Sequence, residues 1–419
     1  MTAIFLNFIF PLVVLGAPFV TGIIGLFFYE YVASSARIRH GFSVLTILHI
    51  FGVMLFPTVS PFFNYMIGLM SIVHAMRFVE IFFVTNPPSL KRLQKIGQLY
   101  YWEPMPPPYT MSRIVWALDL VSNSRGIGWR HGPIRYLPSG CRILDGRGGS
   151  RPLNTRGIPT PNPRQFLWVQ VQWIVLAYLW FDLYNIIFVR GQASRMVDAV
   201  ADTLIGAPVN YPVKQVLQTS LDCLINIISA RFFLGGMQAF WGLVAVGVST
   251  DTLGTTADIW MWPPIFGAFN PFERSFQGLW GNWWHDILQR PFYFMTEWLL
   301  PPNPSQTSYL WTIFGLTGVV HAVASYVTVQ KALPAAQVLI SFSLQPIATV
   351  YLKAPTRWRI SQSLGKHNFL LSIVWVTESI LSAAWFVWGL HWFWTDPGLA
   401  AFFTSISLPC SALQMTCSF

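Results

Sequence analysis

The feature that most restricts this chain is a series of apolar runs of membrane-spanning length. They lie at residues 4–28, 42–57, 62–84, 166–189, 221–248, 309–329, 333–352 and 369–394. A helix needs ~20 apolar residues to cross a hydrocarbon core ~30 Å thick. Lipid offers no partner to a free backbone N–H or C=O, so runs of this kind spell helices. The second run is short and ends at Pro57, and Pro11 and Pro18 are placed to divide the first. The expected fold is an all-α polytopic membrane protein with about eight transmembrane helices (seven to nine) plus interfacial helices. Composition closes off the soluble alternative. The 419 residues are 53% hydrophobic and 10% charged, where a soluble domain carries ~25% charge. No basic n-region precedes a small-residue cleavage site, so residues 1–29 read as a first span and not as a removable signal.

The charge is unevenly placed. Residues 86–164 hold twelve Lys/Arg and three acids (Glu103, Asp119, Asp145), a net of +9 in a chain whose total is +10. The positive-inside rule puts this segment in the cytosol. Counting spans outward then puts residues 251–308 and the basic stretch 353–366 on the same side, with both termini in the lumen. Arg190, Arg195 and Lys214 fall on the luminal side and count against this map. Within 86–164, the run Pro106–Pro108 and the Gly/Pro-rich stretch 140–164 read as irregular. Residues 110–120 read as a helix entering the glycine-rich turn Asn123-Ser124-Arg125-Gly126-Ile127-Gly128-Trp129. Such a basic segment serves either an anionic lipid surface or a polyphosphorylated cytosolic ligand. A single membrane-embedded domain, 1–419, accounts for the whole chain, with 86–164 as its basic cytosolic segment and 254–300 as a cytosolic interfacial segment.

That second segment holds the densest motif. Read as a helix from Gly278, it puts Trp280, Trp283, Trp284, Ile287 and Leu288 on one face. Asn282, His285, Asp286 and Gln289 fall on the other. Pro291 marks an expected stop. Tryptophans in this pattern suit a membrane–water interface, where the histidine either faces water or serves chemistry.

A second histidine, His321, lies near the middle of the run 309–329. Gly318, Ala322 and Ser325 share its helical face and Gly315 is close by. Small residues there permit either close approach of a neighbouring helix or a passage with a base in its wall. His49 and His74 also lie in apolar runs, so burial alone does not single out His321. Further ionisable residues fall inside the runs: Arg77 with Glu80 at i, i+3, then Asp182, Asp222, Arg231 and Glu378. Each must face protein or water.

Several chemistries are set aside by absence of their signatures. The eight histidines form no HxxxH or HxxHH box, and HExxH, GxSxG and GxxxxGK[ST] are missing. The four cysteines show no CxxC or Cys/His metal spacing. Cys410 and Cys417 can pair in an oxidising lumen, or stay free.

The stretch 275–290, SFQGLWGNWWHDILQR, resembles the Trp-His signature of wax-synthase-like proteins, a branch of the membrane-bound O-acyltransferases. FGLTGVVHAV resembles that family's later histidine element, and NSRGIGW resembles an element that precedes both in fungal members. The look is most like that of fungal terpenoid and meroterpenoid O-acetyltransferases. The chain departs in having Asn282-Trp283 where basic residues often precede Trp-His, and Thr317-Gly318 in place of Ser-Gly.

The resemblance implies acyl transfer from acyl-CoA, acetyl-CoA by analogy, to the hydroxyl of a lipophilic alcohol acceptor. It implies His321 as general base and His285 as the group that polarises the thioester carbonyl or stabilises the oxyanion. Asn282, Asp286 and Arg290 are the implied contacts to the CoA donor, or supports around the catalytic histidine. It implies no metal, no permanently bound cofactor and no nucleic-acid partner. It also implies a multi-pass place in the endoplasmic reticulum and work in secondary metabolism. Two other readings stay open. One is a long-chain wax ester synthase. The other, from a different class, is a transporter or channel for a lipophilic metabolite, which two pseudo-symmetric halves and indifference to loss of His285 would favour; the Trp-rich interfacial helix alone would also permit a non-catalytic scaffold or sensor.

Overall fold

The computed structural model describes residues 10–58, 60–97, 99–132, 142–144, 150–152, 162–186, 211–248, 254–267, 279–351, 368–406, 410–411 and 416–417. The eleven helices that matter here run in chain order. They are α1 (Phe10–Phe27), α2 (Ala36–Leu55), α3 (Pro61–Val79), α4 (Met111–Ser122), α5 (Pro163–Tyr184) and α6 (Tyr211–Gly247). Then come α7 (Gln289–Leu299), α8 (Gln306–Val329), α9 (Ala332–Ser343), α10 (Asn368–Trp388) and α11 (Pro397–Thr404). Among the described residues each of the eight apolar runs contains a helix. Among the described residues six helices are long and apolar enough to cross a membrane. α1 is an apolar helix of shorter span, and α10 adds a further 21 residues of helix. The fold is that of a polytopic helical membrane protein.

Two details differ from the sequence reading. Pro18 does not divide α1: it lies inside the helix without ending it, while the part of the run before Phe10 lies outside the described residues. Neighbouring helices and local adjustment commonly absorb such a proline in a spanning helix. The second span is not short. α2 begins at Ala36, where the Ser35 hydroxyl accepts from the Ile38 N–H, and reaches 20 residues. Its large side chains, such as Leu45 and Leu48, stay exposed on the outside of the bundle, where lipid covers them.

α8 is the axis of the bundle. It packs on α3, α9, α11, α7 and α2. Glycines bring two of these neighbours close. A Cβ on Gly68 of α3 would stand 2.8 Å from the Cα of Ala324 on α8. A Cβ on Gly318 would stand 3.1 Å from Leu339 and Phe342 on α9. The small-residue face of α8 is therefore used, at Gly318, for helix packing of the kind that lipid-embedded bundles favour.

The basic segment is more regular than its composition led us to expect. Strands β1 (Lys91–Ile96) and β2 (Leu99–Pro104) form an antiparallel hairpin that turns at Gly97. β3 (Arg142–Leu144) pairs parallel with β2 and antiparallel with β4 (Ser150–Pro152). α4 forms where expected. The Thr110 hydroxyl accepts from the Arg113 N–H at its start, and the glycine turn follows its end. Gly126 and Gly128 take φ of +66° and +78°, a region that side-chain-bearing residues rarely adopt. The turn then lies along β1, where Leu93 N–H donates to Gly128 O at 2.7 Å and Arg130 N–H to Lys91 O at 2.9 Å. Arg113, fully buried, grips Glu30 with both guanidinium nitrogens and donates through Nε to Leu26 O. That contact fastens α4 to the end of α1 and the residues just after it. At the C-terminus β5 (Cys410–Ser411) and β6 (Thr416–Cys417) pair with Cys410 opposite Cys417, the two cysteines that stood out in the sequence.

Candidate functional site

The single amphipathic helix expected from Gly278 is not formed. Residues 271–278 lie outside the described residues. Leu279–Trp283 make a π turn, closed by Trp284 N–H to Leu279 O at 2.7 Å, and α7 begins only at Gln289. Pro291 does not end a helix; it occupies the first turn of a new one, where its missing N–H costs nothing. A helix running through Pro291 would have lost a hydrogen bond and met the carbonyl four residues back.

The break turns the aromatic residues inward. Trp284 is buried, and its ring lies 5.7 Å from Trp394 and 5.4 Å from Phe386. Trp280 meets Phe314 of α8 at 5.3 Å and Phe386 of α10 at 5.2 Å. Contacts of this geometry contribute about 1 kcal/mol each beyond burial. The segment is therefore a plug packed into the bundle, and it carries His285 with it.

His285 and His321 come within electrostatic reach of each other. Both rings are half-buried. His321 is stacked on Phe342 of α9, with centroids 4.9 Å apart and planes 8° apart, and abuts Phe393 at 4.7 Å. Its Nδ1 lies 3.3 Å from the hydroxyl oxygen of Tyr65 on α3. Tyr65 in turn lies within electrostatic reach of Asp396, which is buried. Asp396 accepts from the Ser325 hydroxyl at 2.7 Å and caps α11 through the Leu399 N–H at 2.8 Å. Ser325 is one turn beyond His321, so α3, α8 and α11 meet at this point. No local pattern in the sequence marked Tyr65 or Asp396.

His285 has different surroundings. Its ring lies 5.2 Å from Trp284 and 6.1 Å from Phe266. Its Nδ1 is buried and has no hydrogen-bond partner among the described residues. Burial pushes its pKa down to about 4, against a smaller upward pull from Asp286. It is uncharged in the folded protein at neutral pH.

Below pH ~6.5 the unfolded chain takes up a proton at His285 that the folded chain refuses until pH ~4. Stability therefore falls as pH drops through that window. Melting in detergent at pH 7.5 and pH 5.0 is expected to show a smaller acid-induced loss for His285→Gln than for wild type. Equal losses would mean that His285 is protonated in the fold.

The remaining residues from the motif have structural partners. Asp286 is held by Arg125, at 2.9 Å from Nε and 3.0 Å from Nη2, and its N–H donates to Ile265 O. The same guanidinium donates to Pro263 O at 2.8 Å and Pro264 O at 3.2 Å. Ser124 donates to Ile287 O at 2.6 Å. Arg290 pairs with Glu80, which also pairs with Arg77 as their i, i+3 spacing led us to expect. Arg290 reaches His131 O as well, its Cδ passing over Gly126, where a Cβ would stand 2.9 Å away. The NSRGIGW turn is thus a clamp on the His285 segment. The side chain of Asn282 lies outside the described residues, as does that of Glu378. Among the described residues no three His, Cys, Asp or Glu side chains are grouped as metal ligands.

What this architecture defines is a helical membrane protein with two histidines in an aromatic interior. Residues 262–344, which include both histidines, match the model of the Membrane bound O-acyl transferase family. Over 403 residues the chain is 20% identical to an acetyltransferase of Arthrobotrys oligospora, covering 88% of this chain and 77% of that protein. No solved structure matches it.

Proposed function

We propose that this protein is a membrane-bound O-acyltransferase that moves an acetyl group from acetyl-CoA to a hydroxyl of a lipophilic, terpenoid-type alcohol. The observation that carries the reading is that His321, tethered by Tyr65, lies within electrostatic reach of His285, whose buried Nδ1 has no partner among the described residues. Both lie inside the segment that matches the family. The acetyl donor follows the name of the Arthrobotrys relative. The terpenoid acceptor, the endoplasmic reticulum and a role in secondary metabolism follow the sequence resemblance.

In this reading Nδ1 of His321 is occupied by Tyr65, and Nε2 is left to take the proton of the acceptor hydroxyl. The alcohol oxygen forms a bond to the thioester carbonyl carbon. The carbon–sulfur bond then breaks, and the CoA sulfur leaves with the proton that His321 holds. His285, neutral, donates to the carbonyl oxygen as negative charge builds there. No acyl-enzyme and no metal takes part. The water-soluble donor arrives from the side of the basic segment, and the acceptor arrives from the bilayer. Arg125–Asp286 and Glu80–Arg290 hold the His285 segment in register with α8.

The test is a microsomal assay with radiolabelled acetyl-CoA and hydroxylated terpenoids, run for wild type, His321→Ala and His285→Ala at matched expression. Label in lipid that both variants lose supports the reading. Transfer that survives His321→Ala sinks it. Activity with palmitoyl-CoA and fatty alcohols alone would favour a wax ester synthase.

Tyr65→Phe keeps the ring and removes the hydrogen bond. A bond worth about 1 kcal/mol corresponds to about fivefold in rate. The expected result is a kcat lowered about fivefold with KM for acetyl-CoA nearly unchanged. A rise in KM with kcat intact would place Tyr65 in substrate binding instead.

A further inference from the structure

Arg231 is a cation in the interior of α6, 16 residues from the helix end at Gly247. By helix rise that is ~24 Å along the axis. Its guanidinium carbon lies 4.6 Å from the ring centre of Phe266, 5.4 Å from Trp283 and 5.8 Å from Trp173. Its Nη1 is buried and has no hydrogen-bond partner among the described residues. Among the described residues no carboxylate forms an ion pair with it. Phe266 also packs near His285, and Trp283 belongs to the π turn just before it, so the guanidinium lies beside the surroundings of His285.

A guanidinium at this depth is costly unless a counter-charge meets it. Aromatic faces recover only part of that cost. Three rings and one cation make a site for a single negative charge carried on an apolar body. A pyrophosphate, with at least two charges, calls for more than one cation, and the rings supply none. We propose that Arg231 recognises a carboxylate on the lipophilic acceptor, so that the preferred substrate is a hydroxy acid and not a neutral alcohol. This rests on the acyltransferase reading for the word acceptor; the anion site itself is tested by binding alone.

The experiment uses the purified full chain in detergent. Equilibrium binding is measured for a panel of radiolabelled hydroxy acids of fatty and polycyclic skeleton, each beside its methyl ester. At least one acid is expected to bind wild type about tenfold or more tighter than its ester, the scale on which sites reject an analogue lacking a buried polar partner. Arg231→Gln is expected to remove that preference. Arg231→Lys, which keeps the charge but not the planar fork, is expected to retain part of it and reports on folding. Equal binding of acid and ester across the panel overturns the proposal, as does a preference that survives Arg231→Gln. Loss of coenzyme A binding in Arg231→Gln, with acid preference intact, overturns it in favour of a phosphate of the donor. Acid-selective binding without any acetyl transfer would leave the site standing and remove the acyltransferase reading.

Discussion

His321→Ala is expected to lower acetyl transfer by roughly 10²–10⁴-fold, the span that general-base catalysis supplies. The change removes the one ring that Tyr65 orients and that Phe342 and Phe393 enclose. An alcohol is a poor nucleophile until its proton is taken, and no other described imidazole stands on this helix. The loss should fall on kcat, because the interaction is made in the transition state and not on binding. His321→Gln, closer in volume, should be equally slow while packing better against Phe342. Transfer of label from acetyl-CoA to lipid, measured at matched amounts of folded protein, separates the outcomes. Residual activity above one-tenth of wild type would remove His321 from the chemistry.

Glu80→Gln is expected to be the most damaging change away from the two histidines. Glu80 and Arg77 are each 2% exposed, and Glu80 faces Arg77 and Arg290 together. Arg77 also donates to Leu120 O at the end of α4. The carboxylate therefore joins α3, α4 and the start of α7. A glutamine keeps the shape and drops the charge, leaving two guanidiniums side by side. Breaking a buried ion pair from one side costs roughly 3–5 kcal/mol. A sharply lower melting temperature in detergent is the expected readout. Adding Arg290→Met to Glu80→Gln removes one stranded charge and should recover part of the loss, a coupling that a double-mutant cycle measures. A melting temperature within a degree or two of wild type for Glu80→Gln would show that solvent reaches this triad.

Both residues were visible in the sequence, to different degrees. His321 could be named because a histidine amid small residues in an apolar run is conspicuous without any partner. Glu80 could be paired with Arg77 because three residues along a helix bring side chains together. Its second partner, Arg290, is 210 residues away, and no periodicity reports that. Asp286 and Arg290 stood out as donor contacts because they flank His285. The structure gives them partners in Arg125 and Glu80, which anchor the segment. The helix expected from Gly278 failed for a related reason. The Trp spacing of that stretch is helical, but the rings are satisfied by Phe314, Phe386 and Trp394 from other parts of the chain. The proline then sets where the next helix begins.

Hydropathy, by itself, determined the placement of the spans. Transfer of a side chain into lipid is a property of that residue and its near neighbours, and it is decided before any helix meets another. The same holds for the turn at Gly126 and Gly128, whose backbone needs are local. Only the tertiary structure decided that Tyr65 serves His321 across 256 residues and that Arg125 holds Asp286 across 161. It also decided that Arg231 faces three rings and, among the described residues, forms no ion pair with an acid. A hydrogen bond or an ion pair is a property of two groups, and which groups meet depends on how the helices pack.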